Sequence, residues 1–101
     1  MRGVPDGVLD AAARRFALLA DPTRLRVVRS LLDHGETSVS DLARLSGTTV
    51  TNVSQHLARL QADGLVRGRR VGRTVRYAVA DPSLEAICDA VCRSVAERAV
   101  G

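Results

Sequence analysis

Apolar residues recur at helical spacing over most of this chain, and at strand spacing over one stretch near its middle. From Val8 to Ala20, the residues Leu9, Ala12, Ala13, Phe16 and Leu19 share one side. Asp10, Arg14 and Arg15 lie elsewhere, the pattern of an amphipathic helix. Asp21-Pro22 opens a second helix: the aspartate can cap free amides, and proline suits the first helical position. Leu25, Val28, Leu31 and Leu32 form its apolar face, with Arg24, Arg26 and Arg29 pointing elsewhere. Gly35 ends it, with His34 in the last turn near the negative end of the helix dipole. Thr37 to Val39 reads as a short extended link.

Ser40 to Gly64 then reads as two helices joined by a tight turn. Leu42 and Leu45 are the apolar positions of the first, and Gly47 breaks it. Thr49 caps the second, whose predicted buried stripe is Val50, Val53, Leu57 and Leu60. Gly64 stops it. Leu65 to Arg70 and Arg73 to Val79 read as strands, because Val75, Tyr77 and Val79 alternate with Thr74, Arg76 and Ala78. Val71-Gly72 is the expected turn between them. Asp81-Pro82 repeats the earlier device and opens a last helix, with Leu84, Ile87, Cys88, Val91 and Val95 along one face and Cys92 at its edge.

The resulting fold is mainly α with a small β-hairpin: a winged helix-turn-helix in the order α1-α2-α3-α4-β-hairpin-α5. Residues 1–7, holding Gly3, Pro5 and Gly7, predict a flexible arm; 8–101 form a single domain. Within it, the recognition helix spans about 49–62 and the wing about 65–79. The helices 8–20 and 82–99 carry apolar faces that a chain of 101 residues cannot cover alone, so they are the expected dimerisation elements.

The polar flank of the second helix of the pair carries Thr51, Asn52, Ser54, Gln55, His56 and Arg59. These are short hydrogen-bonding groups, not a solubilising run of Glu and Lys. Asn and Gln suit adenine edges, and Ser and Thr contact phosphate or base. A helix of this kind after a glycine-containing turn is the element that enters the DNA major groove.

Charge sharpens the picture. The net charge is +4, and every basic residue is arginine. The window from Arg59 to Arg76 alone carries +5, leaving −1 for everything else. Basicity concentrated in this way is the footprint of a phosphate-binding surface. Thr49, Thr51, Asn52, Ser54, Gln55 and His56 are the candidate base-facing residues, and Arg59, Arg69, Arg70 and Arg73 the candidate phosphate contacts. Phe16 and Tyr77 are the whole aromatic supply, which leaves little to stack on unpaired bases and disfavours single-strand or RNA-loop binding. No apolar run approaches membrane-spanning length, and the first residues lack a signal-like apolar stretch, so a cytoplasmic protein is expected. Two cysteines in that compartment predict free thiols.

The stretches LADPTRLRVVRSLL (19–32), SVSDLARLSGTTVTNVSQHLARLQADGLV (38–66) and GRRVGRTVRYAVAD (68–81) together resemble the ArsR/SmtB family of small winged-helix repressors. The resemblance implies a homodimer joined by its first and last helices and bound to a partly palindromic double-stranded operator. It also implies an inducer, often a thiophilic or transition metal ion, that releases the DNA. One family metal site uses Cys-Val-Cys where this chain reads Ser38-Val39-Ser40, and hydroxyls are poor ligands for soft metals. A second lies on the last helix. Asp81 matches its first ligand and Glu97 its last, while Ser83 and Ser94 occupy the histidine positions between.

Cys88 and Cys92 remain. Four residues apart on a helix, they are neighbours that could share one thiophilic metal ion or As(III). They could equally serve as redox-active thiols, or simply pack. The expected function is therefore a sequence-specific DNA-binding repressor released by an inducer. The alternatives are a winged-helix regulator with no metal inducer, or a winged-helix protein-interaction module. A thiol enzyme is disfavoured, since no histidine lies near the cysteines in sequence.

Overall fold

The computed structural model describes residues 3–100. In chain order the elements are α1 (Asp6–Leu19), α2 (Pro22–His34), β1 (Thr37–Ser38), α3 (Val39–Ser46), α4 (Val50–Ala62), β2 (Val66–Val71), β3 (Thr74–Val79) and α5 (Ser83–Val100). Helix α1 opens at Asp6, earlier than the Val8 expected. Pro5 is extended, and its carbonyl accepts the amides of Val8 and Leu9 at 3.0 and 3.1 Å. The arm expected over 1–7 is shortened accordingly, and residues 1 and 2 lie outside the described residues.

Local chemistry sets the remaining helix starts. Asp21 accepts the Arg24 amide at 2.9 Å, Ser38 the Asp41 amide at 3.2 Å, and Thr49 the Asn52 amide at 3.1 Å. The turn between α3 and α4 needs a left-handed residue, and Gly47 supplies it at φ 69°. The Thr48 amide then bonds back to Ala43, and the Asn52 side-chain amide donates to the Thr48 hydroxyl at 2.8 Å. The corner joining the two helices is thus hydrogen-bonded from both sides.

The core is aliphatic. Val27, Val28 and Leu31 of α2 meet Leu42 of α3, Val53, Leu57 and Leu60 of α4, Leu65 and Val66 at the start of the hairpin, and Leu84 and Cys88 of α5. Two sequence expectations fail here. Val50 is half exposed and not part of the stripe, because the first turn of α4 projects beyond the core. Leu45 likewise lies at the surface.

Thr37–Ser38 is a strand, not a bare link. It completes a three-stranded antiparallel sheet of order β1-β3-β2, with Thr37 opposite Tyr77 and Ser38 opposite Arg76. The hairpin turn is Gly72-Arg73, one residue later than expected, since Val71 pairs with Thr74. Gly72 takes φ 61°, the conformation a two-residue turn requires at its first position. Arg73 therefore sits in the turn itself, at the wing tip.

Helices α1 and α5 are the most exposed elements. Phe16 is 59% exposed and Val95 61%. Ion pairs hold them to the body: Arg29 of α2 reaches Asp89 of α5 at 2.7 Å, and Arg15 of α1 reaches Asp81 at 3.2 Å. None of the described helices is long and apolar enough to cross a membrane.

Gly68 has a packing role in the wing. It stands opposite Tyr77, and a Cβ there would lie 2.9 Å from the tyrosine ring. Gly68→Ala should destabilise the protein by about 1 to 3 kcal/mol through overpacking. Chemical denaturation checks this; an unchanged midpoint would mean that the ring shifts freely.

Candidate nucleic-acid interface

The outer flank of α4 presents Thr51, Ser54, Gln55 and Arg59 to solvent. No side-chain hydrogen bond or ion pair engages these four groups among the described residues, so their donors and acceptors are free. Thr49 is exposed, but its hydroxyl already accepts the Asn52 amide. Asn52 is half-buried and uses its amide nitrogen to hold the interhelical turn. It positions the helix, leaving its carbonyl oxygen as its remaining polar group.

His56 does not belong to this surface. Its side chain is buried, and Nδ1 accepts the Arg24 Nε–H at 3.2 Å. Arg24, expected to point away from the core, is also buried, and its Nη1 donates to the Leu18 carbonyl at 3.0 Å. The pair links the α1–α2 junction to the middle of α4. Charge alone places an arginine outside; here the carbonyl and the imidazole together satisfy its donors. Helical periodicity could not reveal this, because the two residues are 32 apart.

The wing arginines divide into two groups. Arg67, Arg70 and Arg73 are exposed and unpaired among the described residues. Arg69 is also exposed but is clasped by Glu36: Nη2 to Oε1 at 2.6 Å and Nε to Oε2 at 3.2 Å. The Arg69 guanidinium holds the Glu36 carboxyl below the usual carboxylate range. Val50 and Arg67 are surface residues that sequence reasoning left out of the candidate interface. Val50 had been counted into the stripe, and Arg67 was indistinguishable from its neighbours.

The candidate sensing residues fare unevenly. Ser38 caps α3, so it is committed to the fold. Asp81 accepts the Ser83 amide at 2.8 Å and pairs with Arg15; the amide hydrogen bond is the main cause of its lowered pKa. Glu97 is exposed and lies about 20 Å further along α5, so one chain does not bring these two carboxylates together. Cys88 is buried and Cys92 exposed, both free. Burial pushes the Cys88 thiol pKa up. Phe16, Leu19, Leu25, Ile87 and both cysteines border an apolar hollow of about 190 Å³ between α1 and α5. Among the described residues no three His, Cys, Asp or Glu side chains converge, so one chain does not complete a metal site.

Comparison with known proteins places these features. A family model described as bacterial regulatory protein, arsR family, matches residues 21–67. The HTH-type transcriptional regulator KmtR of Mycobacterium tuberculosis is 45% identical over 74 residues, covering 73% of this chain. That match spans only 56% of KmtR's own length. Among solved structures, the homodimeric winged helix-turn-helix DNA-binding domain of Mb0332 from Mycobacterium bovis, a possible ArsR-family regulator, is 31% identical. It superposes with a TM-score of 0.78 over 99% of this chain and 94% of that one. The antimony-specific transcriptional repressor AntR superposes with a TM-score of 0.85 at 26% identity, over 97% and 87%.

The buried imidazole carries a pH prediction. Burial, then the neighbouring Arg24 and Arg59 charges, lower the His56 pKa, and Asp21 opposes them. The folded value lies below the ordinary 6.5, so folding favours the neutral ring. Its stabilisation is complete above that value and is lost as pH falls through the folded pKa. The wild type should lose unfolding free energy from pH 6.5 downward, by no more than about 1.4 kcal/mol per pH unit from this group. His56→Asn keeps an acceptor near the Nδ1 position and does not titrate there, so its stability should fall less. Parallel denaturation curves for both proteins across that range would show that another group titrates.

Proposed function

The chain belongs to the arsR family of bacterial regulatory proteins, and we propose that it is a DNA-binding transcriptional repressor acting as a homodimer on double-stranded operator DNA. One observation carries the reading: the free hydrogen-bonding flank of α4 and the unpaired arginines of the wing belong to adjoining elements of one rigid unit. Thr51, Ser54 and Gln55 meet base edges in the major groove, with Thr49 and Asn52 at its entrance. Val50 offers an apolar contact for a thymine methyl group. Arg59, Arg70 and Arg73 meet phosphates, the last two from the wing tip. His56 supports α4 from behind.

A second copy of the chain covers the exposed faces of α1 and α5. Support comes from Phe16, Val91 and Val95, large apolar side chains left in solvent by one chain alone, and from the homodimeric state of the Mb0332 domain. Two-fold symmetry then sets two α4 helices for successive major grooves.

We assign the inducer to the α5 thiols. Cys88 and Cys92 lie one turn apart on the same hollow, and the related AntR is antimony-specific. One chain contributes two sulfurs, so a thiophilic ion or As(III) would take its remaining donors from the second copy. A second reading, a regulator with no metal inducer, is favoured by the absence of a third donor among the described residues.

Two measurements test these readings. In a salt series on a labelled duplex, Arg70→Ala with Arg73→Ala should reduce the slope of log affinity against log salt by about 1.8. An unchanged slope removes the wing from the interface. Titration of reduced protein with Cd(II) and with As(III) should produce thiolate-to-metal absorption and DNA release, both lost in Cys92→Ser. DNA release that survives Cys88→Ser and Cys92→Ser removes the thiols, and no response to either ion favours the inducer-free regulator.

A further inference from the structure

Arg69 and Arg76 stand directly opposite one another in the β2–β3 ladder. Like charges at paired positions disfavour strand association unless something neutralises them. Glu36, in the link between α2 and β1, supplies that neutralisation from 33 residues away. Its Oε1 lies 2.6 Å from Arg69 Nη2 and 3.5 Å from Arg76 Nε. Its Oε2 accepts from Arg69 Nε at 3.2 Å. Its backbone carbonyl accepts from Arg76 Nη2 at 2.9 Å.

Two parallel N–H···O bonds from one guanidinium are the arrangement that arginine makes with carboxylate and phosphate alike. The Arg69 fork is thus already filled by a group of the same chemistry as the DNA backbone. Arg70 and Arg73, on either side of the same turn, have no such occupant.

We propose that Glu36 is an affinity-setting residue of the DNA interface, an internal stand-in for a phosphate that withholds Arg69 from the duplex. The proposal rests on the DNA-binding reading above. The number of wing arginines that release counterions is then set by a residue outside the wing. Arg76 stays tied to the Glu36 carbonyl whatever the side chain, so neutralising Glu36 frees one arginine and not two.

Glu36→Gln keeps the shape and removes the charge. On a labelled mixed-sequence duplex it should steepen the salt slope by about 0.9, one added phosphate contact. Extrapolated from a reference near 1 M salt, that is roughly eightfold tighter binding near 0.1 M. Arg69→Ala in the otherwise native chain should leave the slope unchanged. Arg69→Ala added to Glu36→Gln should return the slope to the native value.

An unchanged or shallower slope in Glu36→Gln overturns the proposal. So does a slope in Arg69→Ala flattened as much as in Arg73→Ala, a result that stands even if Glu36→Gln fails to fold. Native protein that shows no salt-dependent binding to any duplex sinks the DNA-binding reading itself. Native binding with either of the first two outcomes sinks only the role of Glu36.

Discussion

The placement of α4 depends on a buried guanidinium. Arg24 sits at the junction of α1 and α2, with its nitrogens committed to the Leu18 carbonyl and the His56 ring. A buried charge is tolerated only when its donors are satisfied, and leaving one unpaired is costly. The contact therefore constrains both ends: α2 cannot tilt from α4 without stranding the arginine. Apolar packing of Val53, Leu57 and Leu60 gives the helix its depth, and the directional hydrogen bond resists its rotation. With that face held, Thr51, Ser54 and Gln55 can only face outward.

The same economy of partners governs the wing. A cluster of arginines repels itself, so some need counterions before any ligand arrives. Glu36 takes that role for the outer face of the hairpin, leaving the tip positive. Tyr77 over Gly68 holds the two strands in register beneath these charges. The charged surface and the strands that carry it are thus stabilised by different interactions.

Helices α1 and α5 are built on the opposite principle. Their ion pairs to the body are exposed or half-exposed and contribute little stability, while their large apolar residues lie in solvent. The thiols lie in the hollow between these helices, at the place where a second copy would close. Any chemistry at Cys88 or Cys92 would be felt at that seam before it reached α4.

Capping and glycine chemistry act over a few residues, which is why Asp21, Ser38, Thr49, Gly47 and Gly64 announced the helix boundaries before any fold was known. Periodicity was equally reliable for Val53, Leu57 and Leu60, and the localised arginines pointed to the right surface. What it could not resolve were contacts between residues far apart in sequence. His56 looked like part of the polar flank until Arg24 turned it inward. Arg69 looked like Arg70 and Arg73 until Glu36 met it. Thr37–Ser38 is too short to show a strand pattern and became one only because β3 lay alongside. Local backbone preference depends on near neighbours, but burial and ion pairing depend on which partner the folded chain delivers.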